Sequence, residues 1–214
     1  MNNVFHFHAE YNLPILLGKK AKNIGELLDG IRSVPGASIY YHTHRFLKSH
    51  HFLIPELPND FAYWLRNVLN LRELGELVSS INIVECMNLE QLRMKFVTTF
   101  ENFNQKEAYK INCAPGYEFQ FMSCKTFSFP LAFKASNLKE FEKILENISI
   151  YSFYFHIFES RLRKGKAVND FADWFGSMGY TELSEKVSNL DPYTMTLEEL
   201  RKKILNLIKL YDKN

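Results

Sequence analysis

The chain is written twice. "SIYYH" at 38–42 returns as "SFYFH" at 152–156, and "VFHF" at 4–7 returns as "EFQF" at 118–121. "KAKNIGEL" at 20–27 matches "KASNLKEF" at 134–141, and all three pairs share an offset of 114. Further on, "NDFAYW" at 59–64 matches "NDFADW" at 169–174, "ELGE" at 73–76 matches "ELSE" at 182–185, and "MNLEQLR" at 87–93 matches "MTLEELR" at 195–201. The matches keep their order along the whole chain, and the offset shrinks only in small steps. A repeat of this length predicts one structural unit made twice. The first copy spans 1–104, the second 117–214, and the polar 105–116 segment reads as the linker.

The two copies agree on their local structure. Asn23 and Glu26 have the spacing of a helix cap with a returning acid, and Asn137 and Glu140 repeat it. Asn88 with Gln91 and Thr196 with Glu199 do the same at a later helix. Ile24, Leu27, Ile31 and Val34 form one helical stripe, mirrored by Leu138, Phe141, Leu145 and Ile148. Leu89, Leu92, Phe96, Phe100 and Phe103 form another, mirrored by Leu197, Leu200, Ile204, Ile208 and Tyr211. Helices are expected to start at Asn59 and Asn169, and short ones at the "ELxE" segments. "VFHFHAEY" and "EFQFMSCKTF" alternate as strands do.

The Ser-x-Tyr-x-His segments are ambiguous. Their residue types suit a strand, which would put Tyr40, His42 and His44 on one face. Their sequels suit a helix capped by Ser38 and Ser152, with Tyr40 stacked toward His44 and His42 above Ser38. The helical reading is adopted. It gives an α+β, predominantly α-helical fold: two tandem repeats of about one strand plus five helices, related by a pseudo-two-fold.

The segments "KAKNIGELLDGIRSV", "SIYYHTHRFLKSHH", "NDFAYWL", "APGYEFQFM", "FHIFESRLRKGKAVNDF" and "LDPYTMTLEELR" together resemble an uncharacterised bacterial and archaeal family, domain of unknown function 5752. The likeness spans nearly the whole chain. It implies no established activity, cofactor or catalytic residue.

Composition narrows the function classes. Of 214 residues, 46% are apolar and 15% aromatic, enough for a substantial core. Net charge is +2, so there is no basic excess of the kind nucleic-acid binders carry. Cys86, Cys113 and Cys124 lack metal-type spacing, and their odd number fits a reduced, cytoplasmic location. The opening residues do not form a signal peptide, and no apolar run is long enough for a membrane helix. Phosphate-loop, dinucleotide and hydrolase signatures are absent.

Three sets of residues carry candidate chemistry. Tyr40, His42, Tyr154 and His156 recur in both copies, and a neutral imidazole beside a phenol suits acid–base work. Their plainer reading is structural: a packed ring, and an imidazole bonded to backbone. Arg45, Lys48, His50 and His51 lead into Asn59, as Arg161, Arg163, Lys164 and Lys166 lead into Asn169. Arg45, Arg161, Asn59 and Asn169 could therefore hold an anion at a helix start, although Asp60 and Asp170 already complement those helix dipoles. His6, His8 and His42 are metal candidates. Against them, His6, His8 and His44 correspond to Gln120, Met122 and Phe158 in the second copy. The longer first-copy loop, "KSHHFLIPELP", offers Phe52, Leu53, Ile54 and Leu57 as a partner contact or a core cover.

The leading expectation is an intracellular binding or regulatory protein with a pseudo-symmetric cleft, its partner a protein or a small anion, with no cofactor, membrane or nucleic acid involved. The alternative is an enzyme acting on a phosphorylated or sugar-like molecule through the Tyr/His pairs. A second alternative is a metal-binding protein using the first-copy histidines. The oligomeric state is left open.

Overall fold

The computed structural model describes residues 3–45, 58–83, 86, 88–160, 168–190 and 195–211. Among these are two strands, each followed by five α-helices. Strand β1 (Phe5–Ala21) is followed by α1 (Ile24–Ser33), α2 (Gly36–His42), α3 (Asp60–Asn67), α4 (Arg72–Ser79) and α5 (Leu89–Asn102). A 3₁₀ turn (Lys106–Lys110) then leads to β2 (Phe119–Ala135). After β2 come α6 (Leu138–Asn147), α7 (Ile150–Tyr154), α8 (Asp170–Ser177), α9 (Thr181–Ser188) and α10 (Leu197–Tyr211). The two strands pair antiparallel as a two-stranded sheet. The protein is α+β and mainly helical. No helix among the described residues is long and apolar enough to cross a membrane.

Caps set the helix starts where the sequence placed them. Asn23 Oδ1 accepts from Glu26 N–H at 2.9 Å, and Glu26 Oε2 in turn accepts from Lys22 N–H at 3.0 Å. Asn137 and Glu140 repeat this, with Glu140 reaching back to Ser136 N–H at 2.8 Å. Asn88 caps α5 and Thr196 caps α10 in the same way. Each such cap satisfies an amide that the helix itself cannot, an effect worth about 1 kcal/mol.

Two corrections concern the Ser-x-Tyr-x-His segments. They are helical, but Ser38 and Ser152 do not cap them. The α2 cap position is Pro35, whose fixed ring suits a helix entrance, and the α7 cap is Ser149, whose side chain accepts from Ser152 N–H. Ser38 and Ser152 are therefore inside their helices and fully buried.

The strands are also longer than the alternation suggested. Each runs 17 residues, through Pro14 and Pro130. Proline removes a ladder donor and is excluded from central strands, but in a two-stranded sheet every strand is an edge. Gly18 has a φ of +71° within β1, a conformation that glycine adopts without strain.

Two compact units result, and they do not follow chain order. Among the described residues, the first holds 12–45 and 58–125, and the second holds 3–11 with 126–211. Each strand is thus divided: its opening residues lie in one unit and its remainder in the other. In the second unit, Phe5 and Phe7 join a core otherwise built from residues 135–208. The Phe5 ring lies 5.3 Å from Phe141, 5.6 Å from Phe171 and 5.7 Å from Trp174. In the first unit, Phe119 packs 5.3 Å from Phe61 and 5.9 Å from Trp64. Burying each such ring stabilises the fold by roughly 1.5–3 kcal/mol.

Phe121 is fully buried. It lies directly against Gly30 of α1, where a β-carbon would overlap its ring. Alanine there would gain helix propensity of about 1 kcal/mol but would force the ring out of its site. We expect Gly30→Ala to lower the urea midpoint, with a net loss of roughly 1–3 kcal/mol. At Gly36 an added β-carbon meets Leu89 only at ordinary contact distance, 3.7 Å, so Gly36→Ala should not lower it.

Candidate functional site

Ser38 and His42 are one turn apart on α2 and project from the same side. Both grip the backbone of a single residue in β2. Ser38 Oγ donates to the carbonyl of Met122 at 2.6 Å, and Met122 N–H donates to His42 Nε2 at 2.9 Å. The other ring nitrogen, Nδ1, is 2.7 Å from Asp60 Oδ2 at the start of α3. An amide N–H can only donate, so Nε2 must be the bare nitrogen. Nδ1 then carries the proton and donates it to Asp60.

The same construction recurs in the second unit. Ser152 Oγ donates to the His8 carbonyl at 2.6 Å, and His8 N–H donates to His156 Nε2 at 2.8 Å. His156 Nδ1 lies 2.8 Å from Asp170 Oδ2. A third contact anchors each strand start: Trp64 Nε1 donates to the Tyr117 carbonyl at 2.7 Å, and Trp174 Nε1 to that of Asn3 at 2.6 Å. Ser38, Ser152, His42 and His156 are all buried.

Serine, histidine and aspartate together suggest a hydrolase triad, but the bonding differs. A nucleophilic serine must hand its proton to the imidazole. Here both serine hydroxyls point at carbonyls, and both Nε2 lone pairs are taken by amides. The three residues clamp a strand.

The other candidates are placed as follows. Tyr40 lies in the first unit, stacked on His44 at 5.6 Å with an 8° interplanar angle, as the helical reading predicts. Asn12 Nδ2 donates weakly to its hydroxyl at 3.4 Å. Tyr154 lies in the second unit, fully buried and stacked on Phe158 at 4.5 Å. Arg45 lies over the Tyr41 ring at 4.5 Å. Asn59 and Asn169 are buried caps: Asn59 accepts from Ala62 N–H and donates to the Val78 carbonyl, and Asn169 accepts from Ala172 N–H. Arg161, His50, His51, Phe52, Leu53, Ile54 and Leu57 lie outside the described residues. Among the described residues, no group of three or more His, Cys, Asp or Glu side chains could hold a metal ion. His6 and His8 belong to the second unit and His42 to the first.

The sequence reading missed what Asp60 and Asp170 do for the imidazoles. The signal was present: each Asp follows its cap Asn immediately, in both copies.

Beside the second clamp, the second unit has an open cavity of 630 Å³. His6, His8, Asp170 and Asp173 line it with Asn3 and Ser177, and Phe155 and Trp174 form apolar walls. Phe155 begins a π-helical turn (Phe155–Glu159), a wider winding that often marks functional positions.

Removing one clamp member takes away its partners' bonds. His42→Ala leaves the Met122 amide without its acceptor, removes a buried ring and turns the part-exposed Asp60 carboxylate over to solvent, so we expect a loss of roughly 2–4 kcal/mol in urea unfolding. Ser38→Ala removes one bond to one carbonyl and should cost about 1 kcal/mol.

His44 supplies a pH prediction. Burial lowers its pKa from 6.5 to about 3. The unfolded chain therefore binds a proton below pH 6.5 that the folded protein refuses. Stability should fall by up to about 1.4 kcal/mol per pH unit from pH 6.5 downward. His44→Phe, which copies Phe158, should flatten that dependence when stability is measured between pH 7.5 and 4.

Comparison with known proteins adds the following. The profile of a family of unknown function, DUF5752, matches residues 2–209. No curated protein sequence matches the chain. The solved structure of OrfY from Thermoproteus tenax is similar, with a TM-score of 0.82 and 26% identity, over 99% of this chain and 97% of that one. With its profile matching nearly end to end, the chain belongs to the DUF5752 family.

Proposed function

We propose that this is a non-catalytic binding protein, made of two tandem copies related by an approximate two-fold, that holds a small polar ligand in the cavity of the second unit. The observation that carries this reading is the engagement of both Ser/His/Asp sets with strand backbone. The serines and histidines that recur between the copies are spent on holding strands, and the recurring tyrosines on ring stacking. This counts against the enzyme reading, which needed the paired Tyr and His residues free for chemistry.

The cavity residues behave differently between the copies. His6, His8 and Asp173 correspond to Gln120, Met122 and Tyr63. What is common to both copies serves the fold, and what is particular to the second unit's copy lines the cavity. With the exposed Asp173 in the lining, a partner that donates hydrogen bonds, such as a hydroxylated or amine compound, fits better than the anion suggested by the basic loops. The volume lies in the range usual for small-molecule sites. Cys86, Cys113 and Cys124 are thiols, which fits an intracellular location.

A thermal-shift screen of the full chain against amines, sugars, phosphates and divalent ions tests this. A ligand at a hundred times its Kd stabilises by about 2.7 kcal/mol, a rise in Tm of roughly 5–10 °C for a chain of this size. Asp173 is solvent-exposed, and Asp173→Asn should abolish the shift when it is read against the variant's own unliganded Tm. Stabilisation by phosphates alone, or turnover of the bound compound, would overturn the reading.

A further inference from the structure

We propose that His42 and His156 are acid-operated latches that release the opening residues of β2 and β1 when their rings take up a second proton. This goes beyond the ligand reading and does not depend on it.

The argument is one of lone pairs. In each clamp the imidazole has one lone pair, on Nε2, and a strand amide uses it. The only ring site left for a second proton is that same nitrogen. Once protonated, Nε2–H faces the N–H of Met122 or His8, and two donors cannot bond. At the other end of the ring, the Nδ1–H bond to Asp60 or Asp170 persists and becomes charge-assisted. The imidazolium therefore stays with its helices and lets go of the strand. Protonation exchanges a strand bond for an ion pair, with the proton coming from solvent.

The surroundings of the rings favour this local response. His42 faces Asp60 across Nδ1, with the rings of Tyr41, Phe61, Phe119 and Phe121 around it. His156 faces Asp170 and the ring of His8 at 6.2 Å, among Phe5, Phe7, Phe155 and Phe171. Each carboxylate sits on the side of the ring away from the strand amide, so it anchors the cation to the helix. The serine bond to the strand carbonyl does not titrate. Release therefore loosens the strand start without removing every contact, and it frees the rings of Phe5 and Phe7, or of Phe119 and Phe121.

Amide hydrogen exchange in the full chain carrying His44→Phe tests the latch, because that variant removes the separate acid sensitivity of His44. After correction for intrinsic exchange, opening of the Met122 and His8 amides should rise at least tenfold between pH 7.5 and 5, with interior helical amides unchanged. His42→Gln keeps an acceptor for the amide but cannot titrate. It should flatten the pH response at Met122 alone, and His156→Gln should do so at His8 alone. Protection at both amides that does not vary with pH, or glutamine variants that leave their own amide's response intact, overturns the proposal. If the glutamine variants do not fold, the ¹⁵N ring resonances of His42 and His156 decide the matter. Conversion to the doubly protonated form with loss of the strand bond supports the latch, and a neutral ring persisting to pH 5 rejects it.

Discussion

The structure depends on how a helix can hold a strand by its backbone. A strand at the edge of a sheet presents amides and carbonyls that nothing in its own sequence satisfies, and burying them without partners costs a few kcal/mol each. Here a serine and a histidine one turn apart take the carbonyl and the amide of one residue together. The aspartate behind the histidine fixes which nitrogen is bare. Only with those groups satisfied can Phe119 and Phe121, or Phe5 and Phe7, be carried into a helical core. The aromatic packing supplies most of the burial, and the clamp makes that burial compatible with a buried polar backbone.

The clamp also explains a choice of residue types that chemistry alone would misread. Tyrosine, histidine, serine and aspartate recurring together suggest catalysis. Yet each hydroxyl and ring nitrogen in the clamps is committed to a neighbour. A group that is fully bonded and buried is poorly placed to exchange protons with a substrate. The cavity beside His156 differs in exposure: His6 and Asp173 face solvent, and apolar walls stand beside them.

Local features were legible in the sequence, and distant partners were not. The caps at Asn23, Asn88, Asn137 and Thr196 could be read because the donor and acceptor lie three residues apart. The buried stripes followed from helical spacing. The structural role of His42 and His156, bonding to backbone, was among the readings open from residue type. What they bond to was not: Met122 is 80 residues from His42, and His8 is 148 from His156. Ser38 and Ser152 were misread as caps because serine's local preference for helix starts outweighs any local sign of a remote carbonyl. The strands were read short because Pro14 and Gly18 punctuate β1 in ways that usually end a strand. Gly30 gave no signal either, since only a ring arriving from residue 121 explains it.

The division of each strand between two units has a consequence for synthesis. The unit made first, from residues 12–45 and 58–125, needs Phe119 and Phe121 to close its core, so it stays unfinished until they have left the ribosome. The other unit needs Phe5 and Phe7, which are made before the first unit and wait for the core residues from 135 to 208. Contacts this remote slow folding and leave apolar surface uncovered meanwhile. A nascent chain of this design is thus exposed to chaperones and to misassociation throughout that interval.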